Sequence, residues 1–155
     1  MPAMSADGSI RDRVGDIPVP EFTSTPATTA PPLSQARVAI VTTAGLRASG
    51  DVQLWQPTDG SFTVLPGDAR DVQLSHFSPN FDRTGFAADL NVVYPLDRLA
   101  EMAASGEIGS VAPRHLSFMG AQFDATFSTM LLDSGPAAAK LLRDDGVDVV
   151  LLTPV

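Results

Sequence analysis

Two short apolar runs, one beginning at Arg37 and one close to Val155, have the pattern of strands buried on both faces. The first is Arg37 to Thr42 in "ARVAIVTTAGL", and the second is residues 147–152 in "DDGVDVVLLTPV". Neither run alternates polar with apolar residues, as a half-exposed strand would. We therefore expect the two strands to lie as parallel neighbours in the interior of one sheet.

The stretch "VVYPLDRLAEMAASGEIGSV" predicts a helix with clear ends. Pro95 lies near the first turn, where its missing N–H is not needed, and Gly106 follows the last turn. Leu96, Leu99 and Met102 between them recur at helical spacing. A long helix, a short loop and an apolar strand in succession are typical of an α/β fold.

A second helical region, "FDATFSTMLLDSGPAAAKLLRDDG", precedes the last strand. Phe127, Met130 and Leu131 share one face, and Pro136 should kink the helix or split it in two. With the first strand and the helix before it, this order predicts an α/β fold with a Rossmann-like parallel sheet, of the kind seen in an incomplete doubly wound domain.

The segments outside these elements are shorter or irregular. Residues 1–35 contain the Pro/Thr/Ala-rich stretch "TSTPATTAPPLSQ" and should form a poorly ordered arm, docked where Ile17, Val19 and Phe22 need cover. Residues 36–155 then form the α/β domain. Within it, Asp59-Gly60 lies between two extended runs and predicts a hairpin, and Val72 to Ser75 predicts a strand that ends at His76.

Composition narrows the possible functions. The 155 residues carry a net charge of -8, which disfavours binding to nucleic acid and to anionic membranes. There is no cysteine, and His76 and His115 are the two histidines, so disulfides, thiolate metal sites and a histidine zinc site are disfavoured. The sequence has no apolar run of membrane-spanning length and no signal-peptide pattern, which predicts a cytoplasmic protein.

The candidate chemistry lies at the predicted strand ends, because ligands of open α/β sheets bind beyond the carboxyl ends of the strands. Thr42, Thr43 and Thr153 should line one crevice there and contact substrate. His76 and Asp82 in "SHFSPNFD" are candidate catalytic residues that handle protons or position substrate. In the alternative interpretation, His76 caps the strand and Asp82 caps a turn.

Three stretches carry a resemblance to a known family. They are "RVAIVTTAGL", "LSHFSPNFDRTGFAADLNVVYPLDRLAEMAASGEIGSVAPRHLSFMG" and "AKLLRDDGVDVVLLTPV", in order from Arg37 to Val155. Together they resemble the selenoprotein B subunits of the glycine, sarcosine, betaine and D-proline reductases, and especially the short, single-domain members.

The resemblance implies a subunit of an oxidoreductase that acts on X–H and Y–H bonds, with a disulfide as acceptor. Such complexes cleave a carbon–nitrogen bond of a small amino acid or its N-methyl relative, with electrons from thiols. It implies other reductase subunits or a homo-oligomer as partners, and a pyruvoyl group in one partner. It also places a selenocysteine or cysteine just after the strand that ends here in "LLTPV".

This sequence departs from the family pattern because it stops at Val155, before that residue. We expect the next codon to be a UGA that encodes selenocysteine, followed by an open frame for a helix and a strand. A true stop or a deliberate truncation is the other explanation, and genomic sequence downstream decides. The alternative function is a non-catalytic scaffold or small-ligand-binding α/β module.

Overall fold

A computed structural model describes residues 16, 24, 28–51, 53–79, 81–122 and 124–155. The predicted arm over residues 1–35 lies mostly outside this part of the chain, as do Ile17, Val19 and Phe22. The elements are β1 (Arg37–Thr42), β2 (Leu46–Ala48), β3 (Phe62–Pro66), β4 (Val72–Leu74), α1 (Thr84–Ala88), α2 (Leu96–Ser105), β5 (Ser110–Val111), β6 (Arg114–Phe118), α3 (Asp124–Thr129), a π-helical turn (Met130–Ser134), α4 (Gly135–Asp144) and β7 (Val149–Thr153).

The main sheet is built around β1, which confirms the α/β class. On one side β1 pairs in parallel with β7, and on the other with β5 near its start and β6 near its end. The strand β3 pairs with β6 in the antiparallel direction, so the sheet is mixed rather than parallel throughout. The short strands β2 and β4 form a separate antiparallel pair. A Rossmann-like topology remains a prediction.

Helices cover both faces of β1 because its residues alternate between two apolar clusters. Val38 and Ile40 pack with Leu96 and Leu99 of α2 on one face. Ala39 packs on the other face, in a cluster that contains Ala138 and Leu142 of α4. This burial on both faces is why the β1 sequence is apolar without alternation.

The predicted interior position is confirmed for β1 and is wrong for β7. All five residues of β7 pair with β1 in register, from Val38 opposite Val149 to Thr42 opposite Thr153. The other edge of β7 has no strand beside it among the described residues, and Leu152 is 67% exposed. An apolar pattern therefore identified the strand but could not show that only one side of it is paired.

The hairpin predicted at Asp59-Gly60 is also wrong. The Asp59 carboxylate accepts hydrogen bonds from the amide and hydroxyl of Ser61, which forms a local turn. The following strand β3 then pairs with β6, roughly fifty positions away, rather than with the preceding run. The Asp-Gly signal marked the turn, but the long-range pairing determined the strand's partner.

Pro136 does divide the second helical region, as predicted. The chain passes from α3 through the π-helical turn into α4, with Pro136 in the first turn of α4. A Cβ on Gly135 would lie 2.5 Å from the carbonyl oxygen of Met130, so the wide turn also requires a glycine there. The wider turn accommodates a proline that cannot donate to the helical hydrogen-bond ladder.

A buried histidine completes the sheet where β5 gives way to β6. The two strands follow one another along the same side of β1, separated by Ala112 and Pro113. The amide of Ile40 in this gap donates to Nδ1 of His115 at 3.0 Å, so a side chain replaces a strand carbonyl. His115 is fully buried, and its ring meets that of Tyr94 edge-on at 5.6 Å. His115 therefore has a structural role in the sheet.

Candidate functional site

The three predicted threonines lie at the carboxyl ends of β1 and β7. The hydroxyl of Thr42 donates to the carbonyl of Thr153 and accepts from the amide of Ala44. The hydroxyl of Thr43 accepts from the amide of Val155 at 2.9 Å and donates to its carbonyl at 3.3 Å. The hydroxyl of Thr153 donates to the carbonyl of Val93 at 2.9 Å. These bonds hold the strand ends together, and the substrate-binding role of the threonines remains a prediction.

His76 is brought to the same strand ends by the loop after β1. The amide of Ser75 donates to the carbonyl of Gly45, and a Cβ on Gly45 would lie 3.2 Å from the backbone nitrogen of His76. Gly45 also has a φ of 64°, a conformation that a glycine adopts most easily. Gly45 in "TTAGL" therefore allows the two backbone segments to pack closely at His76.

The imidazole of His76 is 5% exposed and points toward Gly120, beyond the end of β6. A Cβ built on Gly120 would lie 3.0 Å from Nε2 of His76, 2.9 Å from the carbonyl oxygen of Thr43 and 3.0 Å from that of Val155. Nε2 of His76 and the backbone oxygen of Val155, which follows β7, thus both border the space beside Gly120. Nε2 has no hydrogen-bond partner among the described residues.

The hydrogen bonding of the other ring nitrogen fixes the tautomer of His76. The amide of Ser78 donates to Nδ1 at 3.2 Å, so Nδ1 acts as an acceptor and carries no proton. Burial, with a smaller contribution from the positive charge of Arg83, lowers the pKa of His76 below its usual value. The neutral ring must then carry its proton on Nε2. His76 thus presents an N–H donor to the strand ends.

In the described contacts, Asp82 stabilises the backbone turn before α1. Its Oδ1 accepts from the amide of Thr84 at 2.9 Å and from the hydroxyl of Thr84 at 2.7 Å, at the start of α1. These two bonds lower the pKa of Asp82, whose side chain is exposed. The described contacts include no hydrogen bond between Asp82 and His76. The pairing of these two residues in proton transfer remains a prediction.

Sequence reasoning did not identify three residues that shape the site. They are Gly120, which admits the imidazole and the two carbonyl groups, and Phe81 and Arg83, which contact the His76 segment. All three lie within the stretches that carried the family resemblance. Their spacing has no catalytic signature, so only the folded chain shows what they contact.

Replacing Gly120 with alanine should disturb the site without any change of charge. The new methyl group would lie about 3 Å from two backbone carbonyl oxygens and from the His76 ring, and such crowding typically costs about 1–3 kcal/mol. We expect a reduced free energy of unfolding in urea and a shifted His76 ring resonance. Gly85→Ala is the matched control, because its methyl group would meet Val92 at 3.5 Å, an ordinary contact. An equal effect of both variants would contradict this account of Gly120.

The described residues do not form a metal centre of the usual kind. No group of three or more His, Asp or Glu side chains in this part of the chain is arranged to hold a metal ion. No described helix is both long enough and apolar enough to cross a membrane.

Comparison with known proteins identifies the family. The family model of glycine/sarcosine/betaine reductase selenoprotein B matches residues 11–155. D-proline reductase subunit gamma of Acetoanaerobium sticklandii (strain ATCC 12662 / DSM 519 / JCM 1433 / CCUG 9281 / NCIMB 10654 / HF) is 37% identical over 124 residues, which cover 78% of this chain and 49% of that protein. The chain thus spans about half the length of this relative. No solved structure matches it. Because the family model covers nearly the whole sequence, the chain belongs to the glycine/sarcosine/betaine reductase selenoprotein B family.

Proposed function

We propose that this chain forms part of a thiol-dependent reductase that cleaves the carbon–nitrogen bond of a small amino acid or its N-methyl relative. The family match and the similarity to a D-proline reductase subunit support this activity. The structural observation that carries the proposal is the buried, unpaired Nε2–H of His76 at the end of β7. In this proposal, the reactive selenocysteine or cysteine that the resemblance implies would follow this strand directly.

His76 suits the role of a hydrogen-bond donor better than that of a proton shuttle. A shuttle must change its protonation state near neutral pH, but burial lowers the pKa of His76 and favours the neutral ring. Neutral His76 carries its proton on Nε2, which borders Gly120 close to the end of β7, where it could donate to an anion. A selenolate, a thiolate or a substrate carboxylate would each accept this bond.

In the proposed reaction, this chain and its partner subunits would have different roles. Cleavage of the carbon–nitrogen bond consumes two electrons and two protons, and oxidation of two thiols to a disulfide supplies both. The pyruvoyl group implied by the family resemblance would belong to a partner subunit and would hold the amine. In this proposal, the present chain orients a selenolate or thiolate through His76 and assembles with other reductase subunits.

The proposal is tested by assaying the complete protein with its partner subunits. D-proline, glycine, sarcosine and betaine are supplied separately with dithiothreitol, and mass spectrometry follows the reduced products. We expect turnover of at least one substrate, with one disulfide formed for each bond cleaved. Binding of an amino acid without turnover, in a complex whose partner subunits are active with another family member, would support the non-catalytic ligand-binding module instead.

A further inference from the structure

Arg83 makes an unusual set of contacts with the segment around His76, which we call the histidine segment and define as residues 76–79 and 81–83. Its Nη2 donates to the carbonyl of His76 at 2.6 Å and to that of Ser78 at 3.3 Å. Its Nη1 donates to the carbonyl of Phe81 at 3.2 Å. One guanidinium group thus joins three carbonyl groups of the same segment.

The contacts of Arg83 extend to the imidazole through an aromatic ring. The Cζ atom of Arg83 lies 5.8 Å from the centre of the Phe81 ring, within range of a cation–π interaction. The Phe81 ring in turn lies 4.6 Å from the centre of the His76 ring, with the two planes 31° apart. Arg83 therefore fixes both the backbone of His76 and the ring that packs on its imidazole.

We propose that Arg83 is a positioning residue for His76, holding the histidine segment so that Nδ1 accepts from Ser78 and Nε2–H faces the end of β7. A lysine could supply the charge but not the planar fork that reaches three carbonyl groups. The importance of this positioning for catalysis rests on the proposed function. The positioning itself is a property of the chain that can be measured without substrate.

Arg83 is the charged side chain that acts on the His76 ring. Phe81 covers one face, and the neighbouring elements present the carbonyl oxygen of Thr43 and an oxygen of Val155, which belongs to a carboxylate in a chain that ends at this residue. The Asp82 carboxylate is bonded to Thr84. Burial is the larger cause of the lowered pKa of His76, and the Arg83 charge acts in the same direction. Loss of Arg83 should therefore change both the orientation and the titration of the ring.

Nitrogen-15 NMR of the histidine side chains in the full chain tests the proposal. His115→Asn, used as a common background, leaves a single histidine signal to follow. We expect the parent chain to show protonation at Nε2. Arg83→Gln should give a mixture of tautomers and an upward shift of the His76 pKa, and Arg83→Lys should retain the charge effect while losing the single tautomer. Arg98→Gln is the control, because Arg98 pairs with Glu101 on α2 instead.

The outcomes separate positioning from general stability. An unchanged tautomer and pKa in folded Arg83→Gln would overturn the proposal, as would an equal change in Arg98→Gln. If Arg83→Gln does not fold, Arg83→Lys decides, and retention of the single Nε2–H tautomer in that variant would also overturn it. These measurements use no substrate, so their failure would reject Arg83 as a positioning residue and leave the reductase proposal to its own assay.

Discussion

Lowering the pH from 7 to 4 should remove about 3 kcal/mol from the free energy of unfolding, mainly because His115 resists protonation in the folded chain. Burial lowers the pKa of His115 from 6.5 to about 4. Between these two values the unfolded chain binds a proton that the folded chain does not. The stabilisation is therefore complete above pH 6.5, declines as the pH falls, and is lost near pH 4.

The structural reason is the hydrogen bond from Ile40 to Nδ1 of His115. A protonated ring would need to donate at Nδ1, where the Ile40 amide already donates, and its charge would be enclosed by the core. Hydrogen bonds lower the pKa of Asp51 and Asp97 below the ordinary aspartate value, so these two carboxylates keep their charge through most of this interval. The interval between pH 6.5 and 4 consequently reports chiefly on the histidines.

Urea unfolding at a series of pH values provides the measurement. His115→Asn is the informative variant, because an amide oxygen can accept from Ile40 but does not titrate. We expect it to be less stable than the parent chain at pH 7, through lost packing, and to have a much weaker dependence on pH. His76→Asn measures the smaller contribution of His76 to the pH dependence of the free energy of unfolding. A full pH dependence in His115→Asn would show that His115 is not the responsible group.

If the proposed reductase function holds, replacing His76 with asparagine should reduce the activity of the assembled complex by about 10²- to 10³-fold, the usual cost of removing one donor from a developing anion. Asparagine can still accept the hydrogen bond from Ser78 that Nδ1 accepts now. It has no N–H group at the position of Nε2. The variant thus removes the Nε2–H donor near the strand end while it keeps the hydrogen bond from Ser78.

Two further variants distinguish the possible roles of His76. His76→Gln can place an amide N–H near the position of Nε2 and should retain more activity than His76→Asn. Asp82→Asn keeps an oxygen that can accept from Thr84, so it should have little effect if Asp82 only caps α1. A large loss in Asp82→Asn, with its fold intact, would instead support a proton-handling pair. Equal activity in the parent chain and His76→Asn would remove His76 from the mechanism.

The sequence predicted those parts of the fold that depend on local pattern. The β1 strand, the α2 helix with its glycine cap and the parallel pairing of β1 with β7 all follow from apolar spacing and helix-end signals. The rule that places ligands at strand ends also directed attention to His76, whose Nε2 borders the space beside Gly120 together with the Val155 oxygen. The family resemblance predicted the type of reaction, which the spacing of residues did not.

The features that the sequence did not reveal depend on contacts between distant residues. Nothing around Phe62 indicates that β3 would pair with β6, and the apolar pattern of β7 does not show which side lacks a partner. The acceptor role of His115 arises because β5 and β6 leave one amide of β1 unpaired. The tautomer of His76 likewise follows from a backbone amide two residues away, whose direction only the folded loop defines.

The acidity of a thiol at the end of β7 tests most directly whether His76 stabilises an anion there. A single cysteine is placed directly after Val155, and its rate of alkylation is measured as a function of pH in the folded chain. If His76 is arranged to stabilise an anion here, the thiol pKa should lie clearly below the ordinary value of about 8.5, and His76→Asn should return it toward that value. An ordinary thiol pKa that is unchanged by His76→Asn would show that His76 does not stabilise an anion at the end of β7.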